Sequence, residues 1–422
     1  MQIQDLVVEV RDGNLTRVGQ ITERDLVGLE TVLRFNQVGG WRITLPSGHP
    51  MADALRQPGA GLIVNGPAGV LLSGPTKTAR SIKTAEDPEG VWEISGTDDS
   101  VALGYRIAYP TPDTDDLAAQ GDYDVRSGPA ETVMKEYVDA NLGESAPSSR
   151  QIPGLAVQAD LGRGSDVTGR ARFETIGSLM DQLALTSGLG FDVIQQDAGL
   201  EFQVFEPTDR SATIRMDIDN NRLTKSEYAY TAPEATRVIV AGQGSGADRT
   251  LIERTTDNSL DAEDLWSSRI EVFKDQRNTS DSAELAQAGD EILAEKGITV
   301  ESVSVTPSDD QSMNFPQDWG LGDRVSVIVG DITVSQIVTE VALVVTEDGL
   351  KIGATVGDPA VAAQGDVEAQ VIEKQSDQET RISNLERNET GSSGSGEMLG
   401  NLDNGKPDTV FGGSDSINAG GV

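Results

Sequence analysis

Short runs rich in Val, Ile and Thr, separated by Gly, Pro, Asn and Asp, recur through most of this sequence and limit the folds that it can adopt. In residues 1–110 these runs are spaced by roughly 8 to 12 residues, which is typical of a β-sandwich or β-barrel. We expect strands throughout this region, the last over 101–110, with one short helix at 50–57. A polar, Pro-rich segment at 109–124 predicts a boundary near residue 110.

The middle of the chain combines helices with strands. Residues 128–143 place apolar side chains on one helix face, with Pro129 at the first helical position and Gly143 as the stop. Residues 172–190 repeat this pattern and also end at a glycine, Gly188. Strand patterns follow these helices, which indicates an α+β region with strands in the majority.

Further along the chain, a helix and then a second strand-rich region are predicted. Asp281 with Glu284 three residues later predicts the start of the helix, and Gly297 predicts its end. Residues 299–360 read almost entirely as strands.

The predicted fold is mainly β, with two barrel-like β domains flanking an α+β region, then a short trimeric coiled coil and a Gly-rich tail. The predicted domains are 1–110 (β-barrel or sandwich), 111–235 (α+β), 236–298 (mixed strand and helix), 299–360 (second barrel-like unit), 361–390 (coiled-coil helix) and 391–422 (Gly-rich tail that docks partners).

Composition excludes several functions. The 33 Lys and Arg against 69 Asp and Glu give a formal charge of −36, and phosphate binding needs basic patches instead, so we expect no stable nucleic-acid binding. The absence of Cys removes disulfides, thiol nucleophiles and thiolate metal sites. The chain also has a single His, His49, whereas zinc hydrolases and Ser/His/Asp triads depend on imidazoles. His49 lies between a turn and the short helix, so we predict no catalytic role for it.

Two further patterns resemble ligand sites only superficially. The glycine-rich stretch 241–249 follows a strand, but a strand pattern rather than a helix comes after it, so it lacks the context of a phosphate-binding loop. The acidic run from Asp217 has Arg222 where a calcium loop has Gly, and Tyr228 where it has Glu. We therefore predict no cofactor and no metal. Neither a secretory signal nor a membrane span is expected from the apolar pattern.

A helix at about 367–390 carries a heptad pattern. The signature of Arg, apolar, two residues, apolar and Glu at 381–386 resembles that of short three-stranded coiled coils, in which the Arg reaches the Glu of a neighbouring chain. A solitary amphipathic linker helix is the alternative. The predicted trimerisation residues are Val371, Gln375, Gln378, Arg381, Ile382, Leu385 and Glu386.

The order of elements over about 125–255 resembles the siphophage minor tail proteins that form the tail-tip hub, particularly those of phages of Gram-positive hosts. The segments that carry the resemblance are 128–143, 150–193, 201–212 and 220–253. A looser likeness to the closing strands of hub barrels covers 319–331 and the hairpin that ends at 356–359.

This resemblance implies a non-enzymatic homotrimer whose early and late β domains alternate around a pseudo-sixfold ring at the tail tip. Such a baseplate hub closes the tail tube. Its partners would be the distal tail protein, the tape-measure protein and the tip or receptor-binding proteins, and DNA would pass through its lumen during genome ejection. We expect assembly in the host cytoplasm, a final location in the virion, and an acidic lumen that repels exiting DNA. Two alternatives stay open: a carboxylate-based hydrolase of cell-wall glycan, and a secreted β-rich adhesin of a halophile.

Overall fold

The structure is a computed structural model that describes residues 3–218, 223–245, 248–277, 279–307, 314–346 and 349–357. All seven predicted trimerisation residues, Val371, Gln375, Gln378, Arg381, Ile382, Leu385 and Glu386, lie outside these ranges, as does the predicted Gly-rich tail.

The N-terminal region forms the predicted strands. Val, Ile and Leu alternate with polar residues in several of these strands, such as β3 and β4, and bury one face, whereas β5 is buried on both faces. The elements are β1 (Val7–Arg11), β2 (Arg17–Ile21), β3 (Gly28–Arg34), β4 (Gly40–Pro46), α1 (Pro50–Leu55), β5 (Gly61–Gly66), β6 (Gly69–Ile82), β7 (Val91–Thr97) and α2 (Val101–Gly104).

The strand predicted at 101–110 is wrong. Its first residues form the single helical turn α2, in which Leu103 is buried. The backbone before this turn is held by Asp98, whose carboxylate accepts from Ser100 N at 3.0 Å. A local carboxylate contact of this kind starts a helical turn more readily than a strand.

The α+β region has the predicted helices and hairpin. Pro129 is the N-cap of α3 rather than its first residue, and Gly143 is the C-cap. Helix α4 begins after Thr175 and ends at Gly188, which has φ 71°, the left-handed conformation that glycine adopts without strain. The elements are β8 (Asp124–Pro129), α3 (Ala130–Leu142), β9 (Leu155–Val157), β10 (Asp166–Ala171), α4 (Ile176–Ser187), β11 (Gly190–Gln196) and β12 (Gly199–Phe205).

The remaining described elements include one helix that the sequence did not predict. Helix α5 is polar, yet Thr256 and Ser259 form a reciprocal capping box at its start, which is the signal that could have revealed it. The elements are β13 (Arg215–Asp217), β14 (Leu223–Thr231), β15 (Arg237–Ala241), β16 (Leu251–Arg254), α5 (Asp257–Trp266), β17 (Glu271–Asp275), α6 (Ser282–Lys296), β18 (Val300–Pro307), β19 (Arg324–Val329), β20 (Ile332–Thr346) and β21 (Gly349–Gly357).

Early and late strands join in one 13-stranded sheet. Its central part has the order β14-β18-β21-β20-β3-β4-β7-β6, with every neighbouring pair antiparallel. Two flanking sheets branch from it: β5, β1 and β2 continue from the first half of β6, and β19 with β13 continues from the first half of β20.

The mainly β fold is confirmed, but the two predicted barrels are not found. Within the described part of the chain no barrel closes, because β3 of the early region pairs with β20 of the late region. The alternation of apolar and polar residues predicted most of the strands and did not determine which strands lie next to each other.

One hydrophobic core serves both regions of the large sheet. It includes Val10 and Ile43 from early strands and Val327 and Leu343 from late ones, each at most 1 % exposed. Burying a side chain of this size contributes about 1.5–3 kcal/mol. The α+β region has its own core around Met134 and Phe202, and β15 packs on α6 in a smaller third one.

Candidate functional site

The central sheet is built from two quartets of strands with the same topology. In the first quartet the chain order β3, β4, β6, β7 gives the lateral order β3-β4-β7-β6, and in the second the chain order β14, β18, β20, β21 gives β14-β18-β21-β20. The third strand of each is long, with 14 residues in β6 and 15 in β20, and its first half leaves for a flanking sheet. The fold therefore contains an internal repeat.

The two quartets meet at the β20–β3 junction. Six residue pairs run from Glu340↔Arg34 to Val345↔Leu29. Arg34 donates to Glu340 at 3.0 Å, and Phe35 N donates to Thr339 O at 2.9 Å. Strand β20, at the lateral end of one quartet, thus pairs with β3, at the lateral end of the other, by an ordinary antiparallel ladder.

Each end of the central sheet presents a strand edge. Among the described residues, β14 pairs only with β18, and the second half of β6 pairs only with β7. The side chains of residues 78–81 on β6 are exposed, and so is Tyr230 on β14, at 59 %. Such edges offer unpaired backbone donors and acceptors to another strand.

None of these edge residues was among the predicted site residues. The sequence does contain one indication of the β6 edge: residues 77–81, within a predicted strand, carry no large apolar side chain. A strand of that composition is typical of a sheet edge rather than a sheet centre.

The two faces of the central sheet differ. One face, here called the covered face, carries Leu29, Ile43, Ile94 and Leu343 and packs against the flanking sheets in the shared core. On the opposite face, here called the bare face, charged side chains lie across neighbouring strands as ion pairs. These pairs are Glu30–Arg42 at 3.6 Å, Arg34–Glu340 at 3.0 Å and Arg80–Glu93 at 3.1 Å.

A buried polar cluster connects the large sheet to the α+β region. Arg11 donates to both carboxylate oxygens of Asp99, at 2.8 and 2.5 Å, and to Gln195 Oε1 at 2.8 Å. Ser73 Oγ adds a hydrogen bond to Asp99 at 2.6 Å and receives one from Gln195 N at 2.8 Å. The cluster ties β1, β6 and β11 together.

The pKa values of two neighbouring carboxylates, Asp98 and Asp192, are raised at the same junction. Burial raises the pKa of Asp98 well above its ordinary value, with a further contribution from the charge of Asp192. Burial also raises the pKa of Asp192 to about 6. Ser100 connects them, since its N donates to Asp98 and its Oγ donates to Asp192, each at 3.0 Å. Asp98 is buried and Asp192 is half-buried, and both carboxylates accept a hydrogen bond from the same residue, Ser100.

A second buried charge, Glu131, fastens α3 to the following loop. Its carboxylate accepts from the Arg163 side chain and backbone at 2.8–2.9 Å, and from Lys135 at 2.6 Å. Hydrogen bonds from Arg163, then those from Lys135, hold the pKa of Glu131 far below its ordinary value. Glu131 lies in the first turn of α3, where the helix dipole also favours an anion.

The residues considered for catalysis or ligands have structural contacts. His49 is the N-cap of α1: its Nδ1 accepts from Met51 N at 3.2 Å, and its Nε2 lies 3.7 Å from Asp25. In the glycine-rich stretch, Arg249 donates to the carbonyl of Gly242 at 2.7 Å and closes the turn.

In the part of the chain that the structure describes, no group of acidic or His residues is arranged to hold a metal ion. That part also has no helix long and apolar enough to span a membrane.

A polar crevice of about 150 Å³ lies between α4, β10, β17 and α6. Arg170 pairs with Glu284 across it at 2.6 Å, and Gln287 Nε2 donates to Thr168 O at 3.0 Å. These contacts join the β15–α6 segment to the α+β region. The crevice is small, and two of its charged groups, Arg170 and Glu284, pair with each other.

Beyond the central sheet, β16, β15 and β17 form a sheet that has α6 on one face. Its other face exposes Leu251 and Phe273, each at 59 %. Arg237–Glu253 at 2.6 Å and Arg269–Glu271 at 2.7 Å lie around them.

Comparisons with known proteins match this architecture. The family described as "Siphovirus ReqiPepy6 Gp37-like protein" matches residues 7–358. No curated protein matches the sequence. The prophage MuSo2 43 kDa tail protein from Shewanella oneidensis is similar in structure, with a TM-score of 0.52 at 10 % identity, over 84 % of this chain and 99 % of that one.

Two other solved tail proteins give similar values. A tail protein from Neisseria meningitidis MC58 has a TM-score of 0.51 at 12 % identity, over 84 % of this chain and 97 % of that one. Prophage tail protein gp18 from Listeria monocytogenes EGD-e has a TM-score of 0.50 at 12 % identity, over 87 % and 99 %. At such low identity these likenesses show a shared phage tail-protein fold.

Proposed function

The chain belongs to the Siphovirus ReqiPepy6 Gp37-like family, and from this membership we propose that it is the trimeric tail-tip hub that closes the phage tail tube. The family relationship predicted from sequence is confirmed, and it makes the protein a component of the virion tail. The trimer and the hub role are the proposal.

The internal repeat carries this proposal. Seven antiparallel steps separate β14 from β6, so these two edge strands run in opposite directions. When the β6 edge of one copy approaches the β14 edge of the next, the strands are therefore antiparallel, as at the β20–β3 junction inside one chain. A head-to-tail interface of this kind closes into a ring when its rotation allows.

Three copies with two quartets each would give six similar quartets around one axis. The junctions would alternate between β20–β3 within a chain and β6–β14 between chains. A ring with this approximate sixfold repeat and true threefold symmetry would suit a connection between a sixfold tube and a threefold tip. The predicted heptads at 361–390 point independently to three chains.

The proposed partners follow from this position. The ring would contact the distal tail and tape-measure proteins on its tube side, and the tip or receptor-binding proteins through the C-terminal segment 391–422. DNA would pass through the lumen during ejection. We also propose the domain division at about residues 110, 235, 298 and 360.

A non-enzymatic role is part of the proposal, and the relatives with tail-protein names fit it. The alternative, a carboxylate-based glycan hydrolase, needs two carboxylates facing a cleft that a sugar chain can enter. Asp98 and Asp192 have the raised pKa values that such an enzyme uses, but Asp98 is buried, Asp192 is half-buried, and both are hydrogen-bonded to Ser100. No observation here favours this alternative over the hub.

The oligomeric state of the purified full-length protein tests the proposal. We expect light scattering to give three times the chain mass of 44.7 kDa, and electron microscopy to show threefold rings. A monomer in both measurements would contradict it. A clear band in a zymogram on bacterial cell walls would instead favour the hydrolase.

A further inference from the structure

The bare face of the central sheet has a charge balance unlike that of the chain. Within the paired strands its ionisable residues are four acidic and five basic, against 69 acidic and 33 basic in the whole sequence. The acidic residues are Glu30, Glu93, Glu227 and Glu340, and the basic ones are Arg34, Arg42, Arg80, Lys225 and Lys351. The large negative charge of the protein therefore lies elsewhere.

Each of the four carboxylates has a basic neighbour on this face. Three of them form the cross-strand ion pairs described above, and Glu227 lies 3.3 Å from Lys225. Hydroxyl-bearing residues occupy many of the positions between them. These residues are Thr44, Thr78, Ser95, Thr97, Ser304, Thr306, Thr346 and Thr355.

The dimensions of a closed ring decide which face points inward. Twenty-four strands about 4.8 Å apart and tilted by roughly 40° would form a barrel roughly 45 to 50 Å across. Packed sheets lie about 10 Å apart, so side chains fill about 5 Å on each inner wall. With the bare face inward the bore is roughly 35 to 40 Å.

The opposite orientation closes the passage. The flanking sheets add a layer about 10 Å thick on each side, and with their side chains they reduce the bore to below about 20 Å. A DNA duplex, with grooves about 8 Å deep, needs about 20 Å. Only the bare face leaves a channel that DNA can use.

We infer that the bare face lines the channel of the ring, and that its paired charges and hydroxyls let duplex DNA pass without being held or repelled. This inference rests on the proposed hub function. It replaces the acidic lumen expected from composition, because the sheet that would form the wall carries no excess of carboxylates. With every carboxylate paired and only one basic residue in excess per chain, such a wall presents a weak net field along the channel to a polyanion.

Labelling of single cysteines tests which face lies inside, and the absence of native Cys makes each label specific. Thr44→Cys places a thiol on the bare face, and Thr186→Cys places a matched thiol on the exposed side of α4. In full-length trimers we expect a small maleimide to label both variants. A maleimide carried on a globular protein wider than the bore should label Thr44→Cys at least tenfold more slowly than Thr186→Cys.

The mass of the labelled particle distinguishes a failure of this inference from a failure of the proposed hub function. Equal rates with the bulky reagent in a particle of trimer mass would overturn the inference and leave the hub standing. A particle of monomer mass would contradict the hub itself. After dissociation in urea both variants should react equally, which controls for intrinsic thiol reactivity.

The charge balance is tested with a short DNA duplex. Wild-type trimers should not retain it at physiological salt, whereas Thr44→Lys adds three cations to the channel and should produce salt-sensitive retention. Thr186→Lys, which adds the same charge on α4 rather than on the bare face, is the matched control and should not produce retention of the duplex. Wild-type trimers that bind the duplex as tightly as the Thr44→Lys trimers would refute a neutral wall.

Discussion

Arg11 on the first strand and Asp99, 88 residues later, form a two-bonded ion pair that is almost inaccessible to solvent, with side-chain exposures of 2 % and 5 %. The pair lies where the large sheet meets the α+β region. Loss of either partner should destabilise the folded protein, because the other charge would remain buried without a counter-charge.

Arg11→Met should destabilise the protein by about 3–5 kcal/mol, which is the usual cost of breaking a buried pair on one side. Thermal unfolding followed by circular dichroism measures this loss. Arg17→Met is the matched control, because Arg17 is 42 % exposed and its contact to Glu9 at 3.4 Å is worth under about 1 kcal/mol. Equal losses in the two variants would show that the Arg11 pair is not a stabilising contact.

Asp192→Asn should change how stability depends on pH. The pKa of Asp192 is raised to about 6 in the folded protein, so between about pH 4 and 6 the folded state binds more protons than the unfolded state and loses stability as pH rises. Asn keeps an oxygen for Ser100 and carries no charge. We expect the variant to be about 1–3 kcal/mol more stable than wild type at pH 8, and to have no such advantage at pH 4.

The control for this pH series is Asp197→Asn, an exposed carboxylate on the same hairpin. Because this side chain is exposed to solvent, the substitution should change the unfolding temperature by little. If Asp192→Asn and wild type differ equally at pH 4 and pH 8, the carboxylate is not the titrating group.

Glu131→Gln should have the opposite pH signature. Because the pKa of Glu131 is lowered on folding by hydrogen bonds from Arg163, its contribution is complete above the unfolded pKa near 4.5 and is lost as pH falls below it. We expect a loss of about 3 kcal/mol at pH 7 that shrinks at pH 3. Glu136→Gln on the same helix, with a side chain 54 % exposed, should cost under about 0.5 kcal/mol. A loss independent of pH would point to packing instead.

Tyr230→Ala should weaken assembly more than folding. Tyr230 lies on the β14 edge, is 59 % exposed, and contacts the rings of Tyr228 and Trp266 at 6.0 Å. Exposed tyrosines of this kind often carry much of the binding energy of an interface. We expect trimer dissociation at a protein concentration at least tenfold higher, measured by light scattering, with a nearly unchanged unfolding temperature. Leu117→Ala, at 67 % exposure in a turn that belongs to neither edge strand, should change neither.

Ile382→Asp combined with Leu385→Asp tests the predicted heptads in the full-length protein. Carboxylates at these a and d positions would disrupt a three-stranded seam, so the trimer should dissociate more readily on dilution. Ser383→Asp combined with Asn384→Asp adds the same charge outside the seam and should have no effect. An unchanged dissociation profile in the first variant would refute this placement of the seam.

Local patterns predicted the elements of this fold better than their arrangement. The caps at Thr175 and Gly188 and the alternation in β3 and β4 determine structure within a few residues. Strands β8, β9 and β10 were not predicted. Two other local errors, the strand at 101–110 and the missed α5, arose where side-chain hydrogen bonds outweighed the apolar pattern. Asp98 holds the turn before α2, and the Thr256–Ser259 box starts an otherwise polar helix.

The sequence by itself determined most of the strands and helices, the acidic charge and the family, because each follows from local periodicity, composition or ordered motifs. Only the tertiary structure decided that β3 pairs with β20, that two quartets repeat, and that the bare face is charge-balanced. Alternation tells which side of a strand is apolar and does not tell which strand lies beside it. The edges and faces available for assembly therefore depend on pairings between residues as far apart as Arg34 and Glu340.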